Sequence, residues 1–171
     1  MGGARGIRQL RAPFAGHELS DRSPRPNMKR SLIAPCGMNC GICMAYLRER
    51  NKCPGCRAAD ANKAVSVIRC KIKNCEVIQK GKVKFCFGCD NSPCGSLKHL
   101  DRRYRTKYNM SMIENLEFIR ENGIDKFLRR QAKKYRCPTC GGTVCVHNGR
   151  CYECDPPDAW YRRVPRRPHV R

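Results

Sequence analysis

The chemistry that this chain of 171 residues could perform lies mainly in its fifteen cysteines, all of which fall between Cys36 and Cys154. Ten of them form five pairs with two intervening residues, the spacing at which a tight turn presents two thiolates to one metal ion. An odd number of cysteines leaves one thiol over in any complete disulfide scheme. The N-terminal residues also lack the apolar stretch of a secretory signal, so we expect a reducing, cytoplasmic setting in which the thiols bind metal.

The strongest metal signal is a group of four cysteines near the C-terminus, Cys137, Cys140, Cys151 and Cys154. Two such pairs separated by ten residues are typical of a zinc ribbon. Four thiolates fill a tetrahedral zinc ion and leave no open position, which favours a structural role over a catalytic one. A rubredoxin-like iron site uses the same ligands, and the spacing does not separate the two metals.

The residues between these two pairs predict a β-hairpin. Residues 143–147 are typical of a strand, Asn148-Gly149 of a two-residue turn, and the return strand is expected from Arg150 onward. Cys145 lies between two valines and is predicted as a small core residue.

Ten further cysteines precede this group, and their pairing is ambiguous. They are Cys36, Cys40, Cys43, Cys53, Cys56, Cys70, Cys75, Cys86, Cys89 and Cys94. Proximity along the chain favours one site from Cys40, Cys43, Cys53 and Cys56, and a second from Cys86 and Cys89 with two of Cys70, Cys75 and Cys94. Two four-cysteine sites leave two thiols unassigned, whereas a cluster with bridging thiolates uses all ten. We therefore expect two to three zinc ions in the whole chain.

Iron–sulfur chemistry is the alternative to zinc. The spacing Cys36-x3-Cys40-x2-Cys43 matches the radical S-adenosylmethionine motif, but that motif belongs in a large α/β barrel, for which the sequence shows no pattern. A catalytic triad, a phosphate-binding glycine loop and a dinucleotide fingerprint are also not evident in the sequence. The sequence thus favours a non-catalytic protein, with an iron–sulfur or thiol-redox protein, including an enzyme, as the alternative.

Helical periodicity follows the cysteine-rich part. Leu97, Leu100, Tyr104 and Tyr108 recur at intervals of three and four, which predicts one apolar stripe. A capping box at residues 111–114 predicts the start of a second helix and Asn122-Gly123 its end. A third helix is expected from about Asp125, with Ile124, Phe127 and Leu128 buried, and residues 42–50 also fit a helical pattern.

These patterns predict an α+β fold: a small metal-stabilised protein with a cysteine-rich knuckle module, short basic helices and a C-terminal zinc-ribbon β-hairpin. The predicted segments are a disordered basic leader (1–30), the ten-cysteine module (31–94), a basic helical segment (95–136), the zinc ribbon (137–154) and an Arg/Pro-rich tail (155–171). Met28 opens the first organised segment and is a candidate for the natural start.

The charge is strongly positive, with 36 Lys and Arg against 14 Asp and Glu and a formal net charge of +22. This balance favours RNA, DNA or another anionic partner such as an acidic protein. Residues 137–154 carry no net formal charge, so phosphate contacts are expected from the helices. The candidate residues are Arg102, Arg103, Arg105, Lys107, Arg129, Arg130, Lys133 and Lys134. A solvated basic face without a partner is the simpler reading.

The cysteine motifs also resemble a known family. From Cys36-Gly37 to Pro93-Cys94 the chain reads C-G-x-x-C-x-x-C, then a C-x-G-C-like pair, C-x-I-x-x-C and C-x-x-C-x-x-x-P-C. This order resembles the prokaryotic cysteine-rich domain-of-unknown-function family 3795, over about residues 31–154, although similar proteins often have a longer spacer after Cys43. The resemblance implies metal binding, with zinc expected, in a prokaryotic cytoplasm. It implies no activity and no substrate.

Residues 36–94 should depend on bound metal for their structure. They contain only 14 large apolar side chains in 59 residues, too few to offset the entropy of ordering them. A structural zinc ion contributes on the order of 10 kcal/mol of apparent binding energy to folding. We therefore expect chelation to unfold this segment, measured by circular dichroism. An unchanged spectrum after demonstrated metal removal contradicts this prediction.

Overall fold

The computed structural model describes residues 28–155, so most of the predicted leader and tail, residues 1–27 and 156–171, lie outside the described residues. Within the described part, short 3-10 turns at Arg30–Leu32, Cys40–Ile42 and Cys86–Gly88 alternate with α-helices. The helices are α1 (Met44–Leu47), α2 (Val65–Ile68), α3 (Glu76–Gln79), α4 (Gly95–Tyr108), α5 (Met112–Asn122) and α6 (Ile124–Lys134).

The three long helices begin and end where the local sequence predicts. Ser111 caps α5, and its hydroxyl accepts a hydrogen bond from the Glu114 amide at 3.0 Å. Gly123, at φ 79°, ends α5 and stands directly before α6, because a positive φ that glycine tolerates breaks the helix without a steric penalty. Asn109 ends α4 in the left-handed region at φ 47°. The predicted helices after Cys94 are thus confirmed.

One hydrophobic core joins the cysteine-rich segment to the helices. Its fully buried members include Ile33 and Ile42 from the first part of the chain and Leu97, Met112 and Phe127 from the three long helices. Helix α5 contacts both α4 and α6, so it lies between them in the packing. The same core extends to residues 135 and 146. The segments distinguished in the sequence therefore share one apolar interior.

Asp101 is a buried carboxylate that ties α4 to the start of α5. One oxygen accepts hydrogen bonds from the Ser111 hydroxyl at 2.7 Å and the Ile113 amide at 3.1 Å, and the other accepts from Arg105 Nε at 2.7 Å. Burial alone would raise the pKa of Asp101, but these hydrogen bonds outweigh it, and the pKa lies below its ordinary value. Arg105 also contacts Glu114 at 3.0 Å. The network fixes the angle at which the chain leaves α4 and enters α5.

The α+β prediction is wrong for the described residues. In place of strands, residues 28–155 contain isolated antiparallel bridges, Ile33 with Asn39, Arg136 with Thr143 and Val144 with Cys151. The predicted zinc-ribbon hairpin is absent from residues 143–151, where the chain makes single bridges and turns. The fold is helix-rich.

The backbone hydrogen bonds of residues 143–155 explain why the predicted hairpin does not form. The Val144 amide donates to the Tyr135 carbonyl at 2.8 Å, and the Val146 amide donates to the Ile42 carbonyl at 3.0 Å. Alternate amides of a strand face the same side, so these two point away from the return segment, whereas the Cys145 amide donates to the Arg150 carbonyl at 2.7 Å. Pairing stops after the single bridge between Val144 and Cys151 because the chain then turns, and the Asp155 amide donates to the Cys151 carbonyl at 2.9 Å. Gly149 donates to the carbonyl of Cys145 at 2.9 Å, which closes a longer turn than the predicted two-residue one.

The predicted helix over residues 42–50 is also shorter than expected. Helix α1 stops at Leu47, and Arg48 is extended at ψ 150°. The Ala45 carbonyl accepts a hydrogen bond from the Cys53 amide at 2.8 Å instead of one from within a longer helix. The chain reverses after α1, and this reversal brings Cys56 close to Cys40.

Substituting Asp101 tests the α4–α5 network. The Asp101 side chain is only 8% exposed, so Asp101→Ala leaves several buried donors without an acceptor and should cost about 2–3 kcal/mol of the free energy of unfolding. Asp125, whose side chain is 51% exposed and pairs with Arg30, provides the matched control, and Asp125→Ala should cost less than about 1 kcal/mol. Urea unfolding at pH 7 of the metal-loaded proteins measures both. Equal losses would mean that the network does not stabilise the fold.

Candidate metal centres

The four C-terminal cysteines converge on one point. The Sγ atoms of Cys137 and Cys154 are 3.6 Å apart, and those of Cys140 and Cys151 are 3.5 Å apart. All four Sγ atoms lie within 4.8 Å of one another. A tetrahedral ion with Zn–S bonds of about 2.3 Å requires sulfurs about 3.8 Å apart. The donor set and its spacing therefore fit a single metal ion, although the geometry does not distinguish zinc from iron.

Two turns set these sulfurs in place. After Cys137 the chain reverses, and the Gly141 amide donates to the Cys137 carbonyl at 2.9 Å. Gly141 has φ 75°, a conformation that favours glycine. The Gly142 amide then donates to Cys140 Sγ at 3.4 Å. Amides directed at sulfur offset part of the thiolate charge and orient the ligand.

The thiols differ in how readily they ionise. The amides of Cys140 and Thr139 donate to the Cys137 sulfur and lower the pKa of Cys137 to about 6. The shared hydrogen bond with Cys137 raises the pKa of Cys154 to about 12. Ionising all four thiols at this separation concentrates negative charge that a bound cation relieves. The group is thus suited to a cation.

His147 joins this C-terminal segment to the rest of the protein. Its Nδ1 accepts a hydrogen bond from the Met44 amide at 3.2 Å, which places the proton on Nε2, and Nε2 lies 3.1 Å from the Tyr104 hydroxyl. The ring also packs edge-on against Tyr108, with ring centroids 4.7 Å apart. Burial lowers the pKa of His147, and the charge of Arg103 adds to this effect. The neutral ring therefore connects the last segment to α1 and α4.

A second group of sulfurs lies near the N-terminal end of the described chain. The Cys56 amide donates to Cys40 Sγ at 3.3 Å. The hydrogen bond between the two side chains raises the pKa of Cys40 and lowers that of Cys56 to about 7. Burial, together with smaller contributions from the negative charges of Cys56 and Cys86, raises the pKa of Cys36 to about 12. The structure thus brings Cys40 and Cys56 together and places Cys36, which the preferred pairing omitted, close to Cys56.

A buried lysine accompanies Cys56. The side chain of Lys63 is 0% exposed, and its ammonium donates to the Cys56 carbonyl at 3.1 Å and to Asp60 at 3.1 Å. The positive charges of Lys63, Lys73 and Arg57 favour the Cys56 thiolate. This cation is held by backbone carbonyls close to the sulfur, an arrangement that the sequence did not indicate.

Gly37 explains the close packing of the first cysteines on α5. Its φ is 84°, and an added Cβ would lie 2.8 Å from the Met112 carbonyl oxygen and 2.9 Å from Leu116 Cγ. The Gly37 carbonyl also accepts a hydrogen bond from Asn115 Nδ2 at 3.1 Å. Only glycine permits both the positive φ and this approach. The turn between Cys36 and Cys40 is therefore fixed directly against a long helix.

A third set of sulfurs lines a cavity of about 80 Å³. The cysteines that line it are Cys75, Cys86, Cys89 and Cys94. The Cys86 amide donates to the Pro35 carbonyl at 2.9 Å, so this cavity lies beside the Cys36 turn. Burial, followed by the charges of Cys94, Cys75 and Cys89, raises the pKa of Cys86 to about 11. The set agrees with one of the groupings that the spacing allowed.

The remaining cysteines take other positions. Cys70 lines a groove with the exposed His99, and Cys53 is buried. Cys43 caps α1, and burial raises its pKa, with smaller contributions from the charges of Cys145 and Cys56. Cys145 is 0% exposed, which confirms its prediction as a core residue. All fifteen cysteines are free thiols.

The eight candidate phosphate-binding residues divide into two groups. Arg105 is held by Asp101, Ser111 and Glu114. Arg130 stacks on the Phe118 ring at 4.7 Å, and Lys134 lies 5.4 Å from the centroid of the Tyr135 ring. The other five are exposed on α4 and α6: Arg102, Arg103, Lys107, Arg129 and Lys133.

Sequence reasoning missed three residues that organise these sites. They are His147, Lys63 and Asp101, none of which the sequence motifs singled out. The only local signal among them was the i, i+4 spacing of Asp101 and Arg105. The partners of His147 and Lys63 are set by tertiary contacts, which spacing does not reveal.

The sites above define a cysteine-rich protein with a group of thiols that could hold a metal ion. Comparison with known families agrees with the cysteine motifs: residues 32–99 match the family described as "Protein of unknown function (DUF3795)". The resemblance is therefore confirmed over these residues, which contain the ten-cysteine module and the start of α4. The four C-terminal cysteines lie outside the matched part.

No curated protein and no solved structure matched the chain. Among the helices of residues 28–155, none has the length and hydropathy that crossing a membrane requires.

Proposed function

We propose that this is a zinc-binding, non-catalytic protein in which metal holds the C-terminal segment in place and the basic helices bind nucleic acid. The separation of the four C-terminal sulfurs carries the first part of the proposal, because distances of 3.5 and 3.6 Å fit the edge of a thiolate tetrahedron around one ion. Zinc is the common occupant of four-thiolate sites of this kind.

A structural role follows from the chemistry of the ligands. Four thiolates complete the coordination of zinc, so the ion has no open position for water or a substrate. The same segment is attached to the rest of the fold through His147 and through the hydrogen bond between Val146 and Ile42. Zinc binding therefore stabilises a segment that itself covers part of the core.

Replacing one ligand tests the zinc site. Cys154→Ser, at the exposed cysteine of the group, should remove one zinc ion per chain and lower the melting temperature, because an incomplete thiolate set binds zinc weakly. Elemental analysis and thermal unfolding measure the two effects. Cys145→Ala, at a buried cysteine outside the group, is the control and should retain the zinc. Undiminished zinc in Cys154→Ser would contradict the proposed site.

The exposed cations of α4 and α6 support nucleic acid as the partner. Arg103 and Lys107 are separated by four residues on α4, as are Arg129 and Lys133 on α6, and no ion pair of these four side chains is recorded within residues 28–155. Like charges at this spacing repel and destabilise a helix by a few tenths of a kcal/mol. A row of phosphates relieves this repulsion.

Salt dependence tests this part of the proposal. Duplex DNA and single-stranded RNA of mixed sequence serve as probes, and binding should weaken steeply as salt rises. The double variant Arg103→Gln/Lys107→Gln should reduce the slope of log K against log salt by about 2, because each lost phosphate contact removes about 0.9 for duplex DNA. The double variant Arg30→Gln/Lys80→Gln changes the net charge equally at two residues that already have acidic partners, and it should leave the slope nearly unchanged. Equal effects of the two variants would indicate general charge attraction without a defined surface.

A further inference from the structure

Two groups of cysteines in this protein differ in the distance between their Sγ atoms. Within residues 28–155, the four C-terminal cysteines are the group whose ligand atoms all lie within 4.8 Å of one another. Cys75, Cys86, Cys89 and Cys94 line one cavity, yet no three of them meet that limit. They surround a common space without converging on its centre.

The space between them is larger than one ion requires. The cavity measures about 80 Å³, on a scale where about 10–15 Å³ accommodates one water molecule. A single tetrahedral ion draws its sulfurs to about 3.8 Å from one another. A four-iron cluster holds its thiolates farther apart, because each thiolate binds a different iron at one corner of the cluster. The wider spacing of the sulfurs around this partly open cavity therefore matches a cluster better than an ion.

The lining has the character that such a cluster needs. Apolar side chains, including Ile72 and Leu97, which are buried, form much of the wall, and an apolar shell limits the access of water. Lys71 is the charged residue of the lining and can offset the negative charge of a thiolate-bound cluster. Cys94 is the N-cap of the 14-residue helix α4, where the helix dipole favours a thiolate.

We propose that the cavity formed by Cys75, Cys86, Cys89 and Cys94 holds a four-iron iron–sulfur cluster, with one thiolate on each iron. This site is separate from the zinc site at the C-terminus, and the inference does not depend on the proposed function. The protein then carries two kinds of metal centre, distinguished by how far apart the fold holds the sulfurs.

Two serine variants of the full chain test the assignment. Cys94 and Cys154 are both exposed cysteines, and each belongs to a different site. Serine is itself a favoured N-cap residue, so Cys94→Ser keeps the start of α4. The wild type and both variants are produced with iron supplied and are purified without oxygen. Iron, acid-labile sulfide and zinc are then measured per chain, with absorbance at about 400 nm as the optical signal of a cluster.

The wild type should contain iron and sulfide in equal amounts, together with zinc. Cys94→Ser should lose most of the iron, the sulfide and the absorbance and keep its zinc, whereas Cys154→Ser should lose one zinc and keep the iron. A wild type without sulfide, both as purified and after reconstitution with iron and sulfide, overturns the proposal, as does a Cys94→Ser variant that loses zinc alone or retains its full iron and sulfide.

If Cys94→Ser does not fold, the comparison moves to the wild type and Cys154→Ser. Mössbauer spectroscopy of iron-57 protein then distinguishes a four-iron cluster from mononuclear iron. If Cys154→Ser retains the cluster signal, the cluster is not bound by the C-terminal cysteines. Mononuclear iron alone, or loss of the cluster in Cys154→Ser, overturns the assignment.

Discussion

The repulsion between closely packed thiolates is the constraint on which the structure depends. Eleven of the fifteen cysteines fall in three groups. The helices α1, α2 and α3 that lie between them in the chain have four residues each. Helices of this length do not form on their own. Sulfur ligands joined through a cation supply the cross-links that hold such turns, and the same cation removes the electrostatic penalty of ionised sulfur. If these thiols bind metal, as we propose, metal binding and folding are coupled in this part of the chain.

The long helices provide the rigid surface against which the sulfur turns are built. Gly37 packs on α5 at a distance that excludes any side chain, and Cys94 stands at the start of α4. His147 attaches the last segment to α1 and α4. Loss of order at one group of sulfurs should therefore disturb the shared core, because each group is attached to at least one of the long helices.

The sequence predicts the features that depend on neighbours along the chain. The cap at Ser111, the break at Gly123 and the apolar stripe that buries Leu97 are local, and each is found as expected. The hairpin prediction is wrong because the pairing ends after one bridge, where the chain turns at Cys151 and places Cys154 beside Cys137. No periodicity in residues 143–151 indicates that turn. Spacing leaves the pairing of the ten cysteines open for the same reason. Spacing identifies which sulfurs can bind metal, but the tertiary fold decides which of them meet.

The positive charges of the chain stand in different surroundings in the structure. Some cations serve the sulfur sites: Lys63, Lys73 and Arg57 favour the Cys56 thiolate. Others complete the fold, as Arg105 does with Asp101. A zinc ion bound by four thiolates would carry a net charge of about −2, so the proposed zinc site would reduce the effective charge below the formal +22. What remains for an anionic partner is the exposed set on α4 and α6, on helices whose other faces are fixed in the core. A rigid row of cations positions phosphates better than the same number of charges on a mobile segment, because little conformational entropy is lost when the partner binds.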